Sequence, residues 1–236
     1  MVGKSAVSMF MHRIGASPAE EEQVRSLPWS IKRIDRHRDI LLVGETPDYI
    51  FVILEGWAGR YSLRRNGSRR ITGFMLPGDM CGINAVTESP MDHAITALTD
   101  CAVATVPKRF MEEAVASCPR IGKALWTAKL VDEAILRVWL RNSQDAERSL
   151  AHLICELHAR LEAAGFVSGN AFDFPITQEH LGDALGITPV HTNRMLRVLR
   201  SEELIVLQRD RVVIENLDAL RRSCGFDPSY LRLAAA

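Results

Sequence analysis

The chain has 236 residues, 47% hydrophobic and 25% charged, with 29 basic and 29 acidic side chains and a formal net charge of zero. That composition is globular and long enough for two domains, and the zero net charge argues weakly against a DNA-binding protein, many of which are strongly basic. No apolar run approaches the roughly 18 residues needed to span a membrane, Met1–Ile14 lacks the continuous apolar core of a signal peptide, and Cys81, Cys101, Cys118, Cys155 and Cys224 are scattered without metal-knuckle spacing, as free thiols in a reducing cytosol would be. A cytoplasmic protein is expected.

In chain order, Met1 to about Ser26 reads as a helical lead-in. Ser17 is an N-cap, Pro18 takes the first turn, and Glu20, Glu21 and Glu22 face the positive dipole end. From Ile31 to about Val106 short apolar runs alternate with Gly, Asn and Pro breaks: 40–43, 49–54, 59–63, 71–76, 94–98 and 102–106. Evenly spaced short strands predict a sandwich or barrel, with Asn66-Gly67 at a hairpin tip. From Pro119 the period turns helical, and nothing breaks Lys123 to Arg141. Ala124, Ala128, Val131, Ile135 and Val138 are spaced as a heptad seam. The seam packs either on its own β domain or, as we expect, on its twin in a second subunit. Asp132 and Arg137 flank it and are expected on a solvated face. Asn142–Asp145 is the best hinge. Leu150, Leu153, Ile154, Leu157 and Leu161 then mark another helix, closed by Gly165.

The most informative stretch is 178–199. Leu181 and Leu185 share one helix face. Gly186 supplies a left-handed helix end, Thr188 an N-cap, and Pro189 a first-turn residue whose missing N–H costs nothing. Met195, Leu196 and Leu199 point inward, leaving Pro189, Val190, His191, Asn193 and Arg194 near the exposed start of the second helix. Two β-branched runs around Gln208–Arg211 follow as a hairpin. A helix-turn-helix with a wing predicts DNA binding. From Asn142 onward there are 10 Arg, no Lys and 13 acidic residues. The five arginines between Thr188 and Arg211 (Arg194, Arg197, Arg200, Arg209, Arg211) therefore make a small basic surface, not a basic domain.

The order of parts resembles the Crp/Fnr family of bacterial transcription regulators over nearly the whole chain. The matching residues are Pro77-Gly78-Asp79 with Gly82, Ala146-Glu147-Arg148 with Leu150-Ala151, and Ile176-Thr177-Gln178 through Leu199. The resemblance implies an α+β architecture: an N-terminal β-roll resembling cyclic-nucleotide-binding jelly rolls (1–118), a long dimerisation helix (119–142) and a C-terminal winged helix-turn-helix (143–236). It also implies a homodimer on a palindromic operator and RNA polymerase as a partner. Arg194 would then read guanine O6 and N7 with its planar fork, or else clamp a phosphate. Thr177, Gln178, Thr188, Pro189, Val190, His191, Asn193 and Arg197 complete the DNA-facing set, with Arg209 and Arg211 on the wing. Pro189-Val190 departs from the Arg-Glu or Val-Glu start of the best-known members. Val190 cannot accept from cytosine N4 but can pack on a thymine methyl, so the half-site should differ.

The family's cyclic-AMP sensors carry a Glu for the ribose soon after the Gly-Asp turn and an Arg-Ser pair for the cyclic phosphate. Here Gly82-Ile83-Asn84 and the later Asp92-His93 stand in that region without an Arg. Asp92 would repel a phosphate, so the pocket reads as degenerate and the effector is open. No Cys precedes Cys81, so the thiolates of an N-terminal iron–sulfur site are missing. No cofactor is predicted. For haem, His12, His37 and His93 are the histidines in or near the roll, though a lone His is more often a surface or core residue. The rival readings are a cyclic-nucleotide- or haem-responsive regulator of the same fold and an effector-binding module whose C-terminal domain contacts protein. Catalysis has no motif to rest on.

Overall fold

β3 (Tyr49–Glu55) carries five consecutive buried residues where a half-exposed strand would alternate. The reason is position: in a computed structural model describing residue 11 and residues 16–233, β3 lies inside a sheet of order β1-β8-β3-β6, and both of its faces are covered. β1 is Ser30–Ile34, β6 Met80–Cys81 and β8 Cys101–Pro107. The second sheet, β2-β7-β4-β5, contains Asp39–Leu41, Ala94–Ala97, Ala58–Leu63 and Arg69–Met75. Between the sheets lie Leu41, Phe51, Ile53, Ala58, Met75, Cys81, Met91, Ile95 and Val103, the core of a β-roll.

Each apolar run became a strand, with shifted ends. β2 stops at Leu41 and leaves Leu42 and Val43 exposed, because the chain turns at Gly44, whose φ is +81°. β1 and β6 were not among those runs. β1 is an exposed edge strand and β6 has only two residues, so neither leaves an apolar run to recognise. The hairpin tip is where Asn66-Gly67 placed it. Gly67 N–H donates to Arg64 O, and Ser68 N–H to Asn66 Oδ1.

α1 (Pro18–Arg25) starts as expected, with a capping box between Ser17 and Glu20. The remainder of the lead-in, 1–10 and 12–15 with His12, lies outside the described residues. The helical period begins earlier than Pro119. α2 (Lys108–Ser117) precedes a break at extended Cys118, and α3 (Pro119–Asn142) follows. Val24, Met111, Ala114, Ile121 and Leu125 form a second core with Ile50 and Val106 of the roll.

Two compact units emerge. The first runs to Ser62 and from Thr72 to Asp132; the second comprises Leu63–Ile71 and everything from Glu133. The second unit is built on α4 (Ala146–Ala163), capped by Asp145, whose carboxylate accepts from Arg148 N–H. All residues from Leu150 to Leu161 are buried, including four that are polar or charged. Among them Glu156 accepts from Trp139 Nε1–H (2.9 Å), Tyr230 O–H (3.0 Å) and Arg160 Nη1–H (3.3 Å). Burial holds its carboxyl above the usual range, and the donors oppose that shift. α5 (Gln178–Leu185), α6 (Pro189–Ser201), the hairpin β10 (Ile205–Gln208) and β11 (Arg211–Ile214), and α7 (Leu217–Cys224) complete the unit. A third strand, β9 (Ala171–Asp173), pairs with β11, Phe172 opposite Val212. Its three residues were too few to signal a strand.

The α3 seam is unevenly exposed. Ile135 and Val138 are only 5% and 8% exposed within the single chain, so they are already covered by their own chain. Ala124, Ala128 and Val131 are half-buried. The exposed apolar residues of α3 are Trp126, Leu136 and Leu140, the first 68% and the last 76% exposed. At 3.6 residues per turn they lie on roughly the opposite face of the helix. A heptad pattern marks an apolar face, but not whether the chain itself covers it. Asp132 is also not on a solvated face: its carboxylate takes a 2.8 Å hydrogen bond from Arg60, whose side chain is largely buried. Arg137 pairs with Glu133, both exposed.

Candidate nucleic-acid interface

Three local devices build the helix-turn-helix. Thr177 caps α5: its hydroxyl accepts from His180 N–H (3.2 Å), while His180 Nδ1 accepts from Thr177 N–H (3.3 Å). Gly186 ends α5 with φ +75°, and its N–H donates to Gly182 O (2.7 Å). Thr188 caps α6 by accepting from His191 N–H (3.2 Å), with Pro189 in the first turn. Losing such a cap typically costs about 1 kcal/mol. Gly182 was not singled out by the sequence reading. A Cβ there would stand 2.7 Å from Ile187 O and 3.5 Å from Thr192 Oγ1, so only glycine lets the turn and α6 approach α5 this closely. The signal was the first Gly of the Gly182-x-x-x-Gly186 spacing that ends in the turn.

α6 buries Met195, Leu196 and Leu199 as expected, and also Thr192, whose hydroxyl donates to Thr188 O (3.1 Å). The opposite face is open. Pro189, Val190 (81% exposed), Arg194 and Arg197 face solvent, with His191 and Asn193 half-buried beside them. Two side-chain contacts order this face. Asn193 Nδ2–H donates to Gln178 Oε1 (3.1 Å), and Arg194 Nη2 lies 3.3 Å from His191 Nε2. Thr177 and Gln178 are exposed at the start of α5. Arg209 and Arg211 are exposed on the β10–β11 hairpin, where Arg209 takes a left-handed φ of +49° at the tip. The unit thus presents an exposed helix start and a hairpin, both carrying arginines.

In the first unit, Pro77-Gly78-Asp79 forms a tight turn: Asp79 Oδ2 accepts from Leu76 N–H (2.7 Å), and Gly78 N–H donates to Ile53 O (2.8 Å). Gly82 has φ +79° and leads into a single helical turn, Ile83–Ala85, in which Ile83 is half-buried. Asp92 is exposed and bonded to His93 Nδ1 (2.6 Å), which holds the Asp92 carboxyl below its usual range. Burial, reinforced by the Arg60 charge, holds His93 low. His37 sits in an exposed turn with φ +67°. Among the described residues no three His, Cys, Asp or Glu side chains group as a metal site. Arg60 was missed. It reaches this region from β4, not from the segment where a phosphate-binding Arg was sought. Burial disfavours its charge, but Asp132 more than offsets this and holds the guanidinium above its usual pKa. Lys129 Nζ lies 3.8 Å from the same carboxylate.

Residues 148–223 match the sequence model of the Crp-like helix-turn-helix domain, and residues 31–118 match that of the cyclic nucleotide-binding domain. The chain belongs to the Crp/Fnr family. It is 24% identical over 217 residues to an "Anaerobic regulatory protein" of Haemophilus influenzae, covering 91% of this chain and 84% of that one. It is 24% identical over 209 residues to the "Fumarate and nitrate reduction regulatory protein" of Escherichia coli, covering 87% and 83%. FixK2 from Bradyrhizobium japonicum shares the fold at a TM-score of 0.75 and 21% identity, covering 89% of this chain and all of that one. A transcriptional regulator of the CRP family from Thermus thermophilus does so at 0.66 and 23%, covering 83% and 97%. This Crp/Fnr protein is therefore a DNA-binding transcription regulator and not an enzyme. Among its described residues no helix is long and apolar enough to cross a membrane.

Proposed function

We propose that this Crp/Fnr regulator binds a palindromic operator as a homodimer, with residues 1–118 as sensor, 119–142 as dimer helix and 143–236 as reader. The observation that carries the reading is the open N-terminal face of α6, where Arg194 and Arg197 stand exposed beside the arginine-bearing hairpin. In a helix-turn-helix this end of the second helix enters the major groove. Val190, fully outward, suits a thymine methyl, and Arg194 suits a guanine edge. Arg209 and Arg211 suit phosphates. Thr177, Gln178, Thr188, His191 and Asn193 border the same face. RNA polymerase is the partner expected of an operator-bound regulator of this family. Selection from a random DNA pool tests the reading. Enriched sites should be inverted repeats whose half-sites lie about one helical turn apart; enrichment of single, unrepeated sites would refute the dimer, and no enrichment would refute sequence-specific binding.

For the dimer, the face we favour is the exposed stripe Trp126, Leu136 and Leu140, in place of Ile135 and Val138. Trp126→Asp with Leu140→Asp should turn a dimer into a monomer at micromolar concentration in sedimentation, since an unpaired charge buried in an interface costs several kcal/mol. An unchanged sedimentation coefficient would move the interface elsewhere.

The sensor unit of this regulator has lost cyclic-AMP binding. Asp92 is exposed and anionic, and the cation that does enter the roll, Arg60, is already neutralised by Asp132. A cyclic phosphate would have to displace that carboxylate. Cyclic AMP at millimolar concentration should give no calorimetric heat and no thermal shift. A dissociation constant below about 10 μM, nearly 7 kcal/mol of binding, would overturn this.

A further inference from the structure

Two cysteines of the second unit lie outside the DNA-facing surface and close to each other. Cys155 stands in the middle of α4, and Cys224 is the last residue of α7. Their Sγ atoms are 4.0 Å apart and both residues are 1% exposed. The other three thiols have different neighbours: Cys81 bonds to Met75 Sδ (3.2 Å), Cys101 to the carbonyls of Trp57 and Thr99 (each 3.3 Å), and Cys118 to Glu20 Oε1 (3.7 Å). A disulfide requires a sulfur separation of about 2.05 Å. Closure therefore asks the two sulfurs to approach by roughly 2 Å, a movement within reach of a side-chain rotation and a small shift of a helix end.

We propose that Cys155 and Cys224 are a redox modification site, forming a reversible intramolecular disulfide when the protein meets a hydroperoxide. Cys224 is the attacking thiol. It closes α7 just before Gly225, whose φ is +63°, so opening of that one terminal turn would expose it, whereas Cys155 lies inside the buried stretch Leu150–Leu161 of α4. The sulfur–sulfur contact with Cys155 holds the Cys224 thiol below its usual pKa, against the effect of burial, and Arg148, whose Nε–H donates to Cys224 O (3.0 Å), adds a positive charge nearby. Cys155 is pushed well above the usual range by the same contact and by burial.

The chemistry balances. The Cys224 sulfur attacks the outer peroxide oxygen and the O–O bond breaks. A sulfenic acid forms, and the alkoxide leaves as an alcohol after taking the Cys224 proton. The Cys155 sulfur then attacks the sulfenic sulfur. The S–S bond forms as hydroxide departs with the Cys155 proton as water. Two thiols and one hydroperoxide give one disulfide, one alcohol and one water. The hydroperoxide is the two-electron oxidant, and a dithiol reverses the step. The partners are 69 residues apart in sequence, and the closed loop contains β9, α5, α6 and the hairpin, that is, the whole reading motif. A cross-link of this span restricts the unfolded chain strongly.

The test treats the full chain with a small molar excess of hydrogen peroxide and measures intact mass, peptide linkage and melting temperature. The expected mass loss is about 2 Da, the two thiol hydrogens, with a Cys155–Cys224 linked peptide. The melting temperature should rise by roughly 10 °C and return on adding dithiothreitol. Cys155→Ser should leave a Cys224 sulfenic acid that dimedone traps, and Cys224→Ser should abolish the mass loss. The linkage map on the unaltered chain stands even if a variant folds poorly. Oxidation that stops at other cysteines, a link that joins other pairs, or no mass change would each overturn the proposal.

Discussion

Arg194→Ala should lower affinity for the selected operator by roughly 1–3 kcal/mol per half-site and relax the preference at one base pair. The side chain stands exposed one turn into α6, and its fork is held near His191 before any DNA arrives. A group held in place loses less freedom on binding, which favours a directional contact over a diffuse one. Arg209→Ala should act differently. At the hairpin tip it would meet phosphates under the proposed reading, so its loss should weaken all sequences alike and lower the salt slope by about one unit. Affinities for the selected site and its single-base variants, measured at several salt concentrations, separate the two. If Arg194→Ala weakens every variant equally, Arg194 is a phosphate clamp.

Acid should unfold the second unit through its buried histidines. His152 lies inside α4, 5.0 Å from Phe226 and 5.9 Å from Tyr230 between ring centroids. Burial first, then the charges of Arg141 and Arg148, push its pKa from 6.5 to about 4. The unfolded chain therefore takes up a proton near pH 6.5 that the folded chain refuses until about pH 4. Between those values the unfolded state binds more protons, so stability rises with pH across the window and is lost as pH falls through it. The loss from His152 alone is on the order of 3 kcal/mol. His158, buried on the same helix and also held low by burial, steepens the slope. Denaturant unfolding from pH 7 to pH 4 should show the loss, and His152→Phe should remove about half or more of it, since a neutral ring keeps the aromatic packing. An unchanged slope would mean that protonated His152 is accommodated in the fold.

Local chemistry was legible in the chain itself. Ser17, Thr188 and Gly186 mark helix ends because a side-chain oxygen or a missing Cβ solves the same backbone problem wherever it occurs. The longer strands of the roll and the helix-turn-helix followed from apolar period and turn residues, whereas the family came from the resemblance carried by Pro77-Gly78-Asp79 with Gly82, Ala146-Glu147-Arg148 with Leu150-Ala151, and Ile176-Thr177-Gln178 through Leu199. The sequence could not decide which apolar face is covered by what. The α3 seam was real as a pattern, yet Ile135 and Val138 are covered within the chain while Trp126 and Leu140 remain exposed, because a heptad records hydrophobicity and not its partner. Asp132 was expected to be solvated and instead meets Arg60, 72 residues away in sequence, because only the folded roll brings β4 and α3 together. Cys155 and Cys224 looked unrelated for the same reason: pairing across that distance is decided by how α7 packs on α4, and no spacing rule encodes it.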